Sequence, residues 1–429
     1  MWLVFGCGIS EDPLQGASVQ DSAGLARPAG AVDRADRSYI TRLVALFCAG
    51  WAVIYADRTV LYPLLSVVAE EFRLSGVQTG LITAAYFTLY VAAQLVSALL
   101  AERFGLKQML VLFSMLSAAG IAGFGLVAVN YVALLAVAAL HGMGAGAYYT
   151  LSYSIIIHTV PNTLRGIASG VINGGMSLGL VAGLALAGPF YQATGSWRVP
   201  FLILAIPTLL IAVLYRGTVQ EVRVSASRSV PLITMLRDST LLRMNLSGFC
   251  VLYGWFVLLS WGPVFFQTER GLSLTMSGLY TLVIAITAIP SGLVMGRLSD
   301  RIGRKRIVLG LLPLMALSLL AVPQVESRTG MLLVLLVYGL VGKLAWDPVG
   351  IAWLGDYAAR TRPEAVGAAV ALFSFTSVLS AVIGPPLTGW IKDMTGSLAG
   401  GFYVAAVLAM AAFFLSLGPA DSGRRDSAA

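Results

Sequence analysis

Charge is scarce in this chain. Asp, Glu, Lys and Arg make up 11% of its 429 residues while 58% are apolar, a balance that excludes an ordinary water-soluble domain and places the chain in lipid. Cysteine and histidine are scarcer still, with three and two residues. Cys7, Cys48, Cys250, His141 and His158 are scattered without ligand spacing, which excludes a zinc site and a disulfide framework. No phosphate-binding loop ending in Lys-Ser or Lys-Thr occurs, which argues against ATP as an energy source. Gly142-x-Gly144-x-Gly146 follows no strand, and its small residues suit close helix packing rather than a nucleotide. Nor do Ser, His and Asp cluster for nucleophilic chemistry. The chain is expected to be no enzyme and to carry no cofactor or metal.

What is abundant is long apolar runs. About twenty apolar residues cross a bilayer, and twelve runs qualify, at roughly 40–67, 77–100, 108–129, 131–157, 166–190, 198–216, 243–267, 276–297, 306–324, 330–355, 365–390 and 399–418. The fold class expected is therefore an all-α membrane protein. The formal charge of +8 does not call for nucleic acid, because Lys and Arg collect in alternate loops. That bias puts both termini in the cytoplasm of a multi-pass protein of the cytoplasmic (inner) membrane. Residues 1–38 are polar enough to be disordered, and the short apolar start from Trp2 to Ile9 lacks the basic flank of a cleaved signal. The expected organisation is a first bundle over 39–216, a cytoplasmic linker over 217–242, a second bundle over 243–418 and a tail over 419–429.

The two bundles repeat each other. At an offset of 198, Glu102, Arg103, Gly105 and Lys107 fall on Asp300, Arg301, Gly303 and Lys305; at 201, Gly183, Gly188, Thr194, Gly195 and Ser196 fall on Gly384, Gly389, Thr395, Gly396 and Ser397. Parallel six-helix repeats are an architecture of secondary transporters. Residues 296–305 match the loop pattern Gly-x-Leu-x-Asp-x-x-Gly-Arg-Lys, and here the chain resembles the major facilitator superfamily. The stretch Gly195-Ser196-Trp197-Arg198-x-x-Phe201 resembles that superfamily's entry to the sixth span. The resemblance covers residues 40–418 and implies twelve helices in two pseudo-symmetric six-helix bundles. In the loop, Gly296 is expected to let two helices approach closely. Asp300 is expected to face a helix N-terminus and Arg301, Arg304 and Lys305 in the turn, latching one conformation, with Gly303 in the bend. The first copy, with Glu102 and Arg103, has Ala98, Glu102 and Leu106 where the pattern has Gly, Asp and Arg, so its latch is expected to be weaker.

Charge inside an apolar run is the sharpest functional signal, since an ion at the bilayer centre costs roughly 2.5–3.5 kcal/mol even on lenient scales. Four residues qualify: Asp57, Arg58, Lys343 and Asp347. Asp57 and Arg58 diverge by about 100° on a helix and cannot pair on one face, whereas Lys343 and Asp347, four apart, can. The superfamily lines its central cavity with spans 1, 4, 7 and 10, which implies that both pairs meet there from opposite halves. A proton on Asp57 would leave the group at net +1, suited to a monoanion. Burial and a neighbouring cation act in opposite senses on that proton. The rival role for these charges is a structural network or gate.

Tyr55-Ala56-Asp57-Arg58-x-x-Leu61, Glu71-Phe72-x-Leu74-Ser75, Gly80 and Tyr86 look like the first two spans of the anion:cation symporter family. That resemblance implies proton coupling at Asp57 and carboxylate binding at Arg58. The family's Arg and acidic residue of span 4 are replaced by Ala138 or Ala139 and the Gly-rich run, so the second proton site is missing unless Asp347 or His141 has taken its place, His141 having a bond to a neighbouring helix as its plainer role. Lys343, Tyr148, Tyr149, Trp255, Trp261 and Trp346 are further candidates for the cavity wall, the aromatics having helix packing or interface anchoring as the plainer role. The expectation is a secondary transporter, monomeric, with a small-molecule substrate and protons as partners besides the bilayer. Proton-coupled symport of a small carboxylate comes first. Proton-driven efflux of a hydrophobic or cationic compound is the first rival, although the partial drug/proton antiporter spacing at Gly179, Gly183 and Gly188-Pro189 lacks its trailing Gly pair. A ligand sensor or scaffold without flux is the second.

Overall fold

A computed structural model describes residues 34–223, 235 and 237–421. The N-terminal segment, most of the expected linker and the last residues of the tail lie outside them. The described chain is built from α1 (Arg34–Thr59), α2 (Leu61–Glu71), α3 (Gly76–Phe104), α4 (Leu106–Leu126), α5 (Tyr131–Thr159), α6 (Asn162–Thr194) and α7 (Arg198–Thr218). The second half supplies α8 (Ser239–Thr268), α9 (Leu274–Ile302), α10 (Arg304–Ala321), α11 (Arg328–Val341), α12 (Lys343–Thr361), α13 (Val366–Thr395) and α14 (Ala399–Leu417). In lipid every backbone polar group must be satisfied within the segment, so helices are what such runs can form. Ser75, Asn130, Asp238, Ser273 and Ser327 cap helix starts with side-chain acceptors, at the polar boundaries where the apolar runs begin.

These fourteen helices make twelve spans in two six-helix bundles, as the sequence predicts. Two spans are broken. Span 1 is α1 and α2, interrupted at Val60. Span 10, expected as one run, is α11 and α12, separated by Gly342 at ψ −161. The amide of Gly342 closes α11 on Tyr338 O at 2.6 Å, and α12 restarts with Lys343 in its first turn. Span 9 is the shortest single helix of the second half's spans, and α10 opens on Arg304, Lys305 and Arg306, so its apolar part is brief.

Small residues set the packing, because lipid offers no hydrophobic gain for pressing two apolar helices together. The Gly-rich run of α5 is the clearest instance. A methyl group at Gly142 or Gly146 would meet the backbone carbonyl of Tyr86 or Tyr90 on α3, and one at Gly144 would meet Ser117 on α4. That is the packing role expected of it.

The repeat extends to contacts that a single sequence does not pair. Glu71 accepts from Trp197 Nε1 at 2.5 Å and pairs with Arg198 at 2.7 Å, tying span 1 to span 6. Glu269 accepts from Ser397 Oγ at 2.7 Å and Leu398 N at 2.6 Å, tying span 7 to span 12. At the other ends, Glu221 accepts from Lys107 N at 3.0 Å, and Asp421 accepts from Lys305 N at 3.3 Å. Each carboxylate also sits against a glycine of positive φ, Gly105 (φ 93) or Gly303 (φ 106), where a side chain would be both strained and obstructed.

The halves meet tightly at the end opposite the chain start. The Asp393 carboxylate on α13 accepts from Gly76 N at 2.5 Å and Val77 N at 2.9 Å, an anion on the N-terminus of α3. Ser66 Oγ donates to Gln267 at 2.5 Å, and Gln267 Nε2 donates to Pro63 O at 2.9 Å. Gly80 lies against the Pro385 carbonyl and Gly188 against Thr275. Toward the other end Leu95 and Leu99 on α3, Ile167 and Val171 on α6, and Leu293 and Val294 on α9 are exposed. Among the described residues, the close backbone contacts between the halves collect at that first end. Replacing Gly80 by Val should wedge α3 from α13 and open that end. The interspin distance between labels at Arg73 and Met394 is expected to lengthen, and an unchanged distribution would show that the closure does not rest on backbone contact.

Candidate functional site

Asp57 and Arg58 end α1 beside the break at Val60, and the helix sends them apart as the angle requires. Asp57 turns into its own half. Its carboxylate is fully buried, Oδ2 accepts from Thr208 Oγ1 of α7 at 2.8 Å, and His141 Nε2 of α5 stands 3.8 Å away. Asp57 Oδ1 and His141 Nε2 have no hydrogen-bond partner among the described residues. Arg58 is 7% exposed. Its guanidinium lies 4.0 Å from the Tyr55 ring centroid and 5.5 Å from that of Phe87, and its Nε has no hydrogen-bond acceptor. Tyr62, Tyr86 and Tyr90 are near enough to act on it electrostatically. Phe87 in turn packs edge-on against Phe256 of α8 at 4.7 Å, so Arg58 sits one ring away from the second half. Asp57, Arg58 and His141 line one small cavity with Thr83, Tyr62 and Tyr86.

Lys343 and Asp347 pair along α12 at 2.7 Å, with side chains 14% and 24% exposed. The Lys343 ammonium stands 6.0 Å from the Trp255 ring of α8. Tyr149 of α5 is within electrostatic range of Asp347 and of Tyr55. The four charges thus do not form one cluster. One pair is made and internal to span 10, while Asp57 and Arg58 line one small cavity of the first half without pairing with each other.

The other aromatic candidates divide. Tyr149 packs against Tyr153 at 4.6 Å and Trp51 at 6.3 Å in the first half, and Trp255 stands near Lys343 in the second. Tyr148 is buried in the first half, donating to Phe47 O at 2.5 Å and packed on Trp51 at 4.9 Å. Trp261 is buried and donates to Pro385 O at 2.9 Å, joining α8 to α13, and Trp346 stacks on Phe373 at 6.0 Å. Those three stand in packing positions, where the substrate wall was expected. Thr208 is a neighbour that charge in an apolar run does not reveal, because a helical hydroxyl commonly bonds its own backbone, as Thr208 does to Leu204 O at 2.7 Å.

The loop latch is differently made from the expectation. A side chain at Gly296 would meet nothing within 4 Å, so the close helix approach expected there is absent. Asp300 is 68% exposed and reaches only Arg304, at 3.7 Å, whereas Arg304 pairs with Asp356 of α12 at 2.9 Å. Lys305 Nζ donates to Leu417 O at 2.6 Å. Arg301, Glu102 and Arg103 are exposed. The strong contact of the second loop is therefore Arg304 with span 10. The first copy has Leu106 at the place of Arg304 and no counterpart to that ion pair.

The Major Facilitator Superfamily pattern matches residues 47–342 and 244–428. The chain belongs to that superfamily. It is a multi-pass membrane protein of the transporter class and not an enzyme. It is 27% identical over 403 residues to the "Hexuronate transporter" of Bacillus subtilis (strain 168), covering 86% of this chain and 91% of that protein. A second Bacillus subtilis protein, named "Probable galactarate/D-glucarate transporter GudP", is 23% identical over 414 residues, covering 86% and 90%. These relatives agree with the resemblance to the anion:cation symporter family. Among solved structures, a bacterial homolog to the human lysosomal transporter Spinster, in an inward-facing and unoccupied conformation, has a TM-score of 0.72 at 18% identity. It covers 88% of this chain and 97% of that one, and shares the fold.

Thr208 is the hydroxyl that anchors Asp57. Removing it by Thr208→Val leaves a buried carboxylate short of its donor, and stability is expected to fall by about 1–3 kcal/mol. Thermal unfolding of the purified protein in detergent measures this, and an unchanged midpoint would mean that Asp57 finds another donor.

Proposed function

We propose that this transporter carries a small organic anion across the cytoplasmic membrane by proton-coupled symport. Arg58 receives the carboxylate and Asp57 carries the proton. The observation that supports this reading is Arg58 itself, a nearly buried guanidinium held on aromatic rings with no carboxylate within ion-pair distance among the described residues. A buried cation left so is costly unless something pairs with it. A substrate carboxylate supplies the missing charge and matches the bidentate fork of the guanidinium. The named substrates of both relatives are organic acids, which suits this role.

Asp57 complements Arg58 rather than neutralising it. Its carboxylate reaches the same small cavity from the other side, with one oxygen on Thr208 and the other unbonded. Protonation there removes a negative charge from the vicinity of the arriving anion, so proton and anion favour each other's entry. His141, 3.8 Å away, is the neighbouring group that exchanges or shares that proton. Asp347 is engaged by Lys343 and is the weaker proton candidate.

The gathering of the inter-half contacts at one end supports alternating access. With the basic loops on the cytoplasmic side, the sealed end faces outward and the cleft opens inward. The Asp393 contact on α3 and the glycine contacts around it break when the halves rock the other way, and the inner loops then close. The linker beyond residue 216 tethers the two bundles on the cytoplasmic side. One copy of the chain contains both halves of the site and functions as a monomer.

Transport of labelled glucuronate into proteoliposomes under an imposed pH gradient tests the reading. Arg58→Ala is expected to abolish both uptake and substrate-induced thermal stabilisation. Asp57→Asn is expected to keep exchange of labelled for unlabelled substrate while losing accumulation driven by the proton gradient. Full transport of every organic anion tried by the Arg58 variant would overturn the carboxylate role.

A further inference from the structure

The small cavity of the first half is lined by more polar atoms than its walls satisfy. Asp57 and Arg58 of α1, Tyr62 of α2, Thr83 and Tyr86 of α3 and His141 of α5 all line it. These residues are buried, from 1% exposed for Asp57 and Tyr62 to 7% for Arg58. Asp57 Oδ1, Arg58 Nε, Tyr62 Oη, Thr83 Oγ1, Tyr86 Oη and His141 Nε2 have no hydrogen-bond partner among the described residues. A buried polar atom left unanswered is costly, and so many around one cavity point to a ligand inside it. The space open to the centre of a water molecule is about 10 Å³, which suits a single water and is far too small for an organic acid. Phe124 and Phe201, stacked on each other at 4.7 Å, also line it.

We infer that this cavity is a buried water site, and that its water joins the Asp57 carboxylate to the His141 imidazole and carries the proton between them. The inference rests on the proton role given to Asp57 above. Asp57 Oδ2 and His141 Nε2 stand 3.8 Å apart, too far for a direct hydrogen bond and a fitting separation for two partners of one water. The Tyr86 ring meets the imidazole edge-on at 5.2 Å. Its hydroxyl and that of Thr83, both unbonded on the same cavity, are the candidates for a third partner. The mixed character of the wall selects water over an ion. A cation would face the Arg58 guanidinium and an anion the Asp57 carboxylate, whereas water both donates and accepts. The same property serves the proton. With Asp57 ionised, the water donates to the carboxylate. With Asp57 protonated, the acid O–H donates to the water, which donates in turn to Nε2 of a neutral imidazole. Neither state leaves the carboxyl group unanswered, and Thr208 holds Oδ2 in place. The transfer itself is short. The O–H bond of Asp57 breaks toward the water oxygen while one water proton bonds to His141 Nε2, leaving a carboxylate beside an imidazolium.

The test uses the purified full-length protein without substrate, in sodium-free potassium buffer, imaged at a resolution that shows ordered waters. A density peak within hydrogen-bond distance of both the Asp57 carboxylate and His141 Nε2 is the expected result. Clearly resolved walls around an empty cavity would overturn the inference. A peak that appears only when sodium is added would overturn it too, since it marks a cation site. Function is read in proteoliposomes with labelled glucuronate, by comparing accumulation driven by a pH gradient with exchange of labelled for unlabelled substrate. Ala138 lines the cavity, and Ala138→Val places added methyl groups where the water sits. That variant is expected to lose gradient-driven accumulation and keep exchange, whereas Ala138→Gly, which leaves the space open, keeps both. Accumulation retained by a folded Ala138→Val protein, or exchange lost along with it, would overturn the proton route. If Ala138→Val does not fold, imaging of the wild-type protein decides alone. Should Asp57→Asn itself keep gradient-driven accumulation, the proton reading falls and the transfer step with it, while the density peak still decides the water site.

Discussion

A bilayer offers a polar group no partner, so each one carried inside has to find its complement in the protein. That constraint organises this molecule. It makes the chain helical, caps helix starts with Ser, Asn and Asp, and turns carboxylates such as Glu71 and Glu269 into ties between spans. It also makes exceptions conspicuous. Asp238 and Asp393 find backbone amides at helix starts, and Lys343 finds Asp347. Among the described residues Arg58 meets the faces of rings and no carboxylate within ion-pair distance, and Asp57 leaves one oxygen unbonded beside an imidazole. A site that is incomplete in this way is where a solute and a proton can be worth binding.

The absence of a hydrophobic drive between helices explains the second theme, the use of backbone against backbone. Gly76, Gly80, Gly188 and Gly389 seal one end because nothing larger than hydrogen separates the chains there. Contacts of this kind are strong in sum and weak one by one, and they are lost together when helices rotate. The charged tie from Asp393 to the amides of Gly76 and Val77 adds direction to that seal. At the opposite end Gly296 faces open space, as a glycine would if its helix contact belongs to the other conformation. The same residue type therefore marks a close contact at one end and open space at the other.

Pseudo-symmetry is respected in the scaffold and abandoned at the chemistry. Glu221 and Asp421 occupy equivalent places, as do Glu71 and Glu269. Arg304 has an ion pair with Asp356 that the first half cannot copy, since Leu106 stands in its place. The buried cation lies on span 1 alone and the charged pair on span 10 alone. A repeated frame thus holds an asymmetric set of charges.

The sequence by itself determined the membrane class, the twelve spans, the internal repeat and the four charges inside apolar runs, because hydropathy, offset and charge are local properties of the chain. It also determined that Lys343 and Asp347 can pair, since a helix brings residues four apart together. The tertiary structure alone decided that Asp57 turns to Thr208 and His141, that Arg304 reaches Asp356, that Tyr148, Trp261 and Trp346 stand in packing positions, and which end is shut. Those partners lie tens to hundreds of residues apart, and which way a side chain points into a bundle depends on helix rotation and crossing, which hydropathy does not encode.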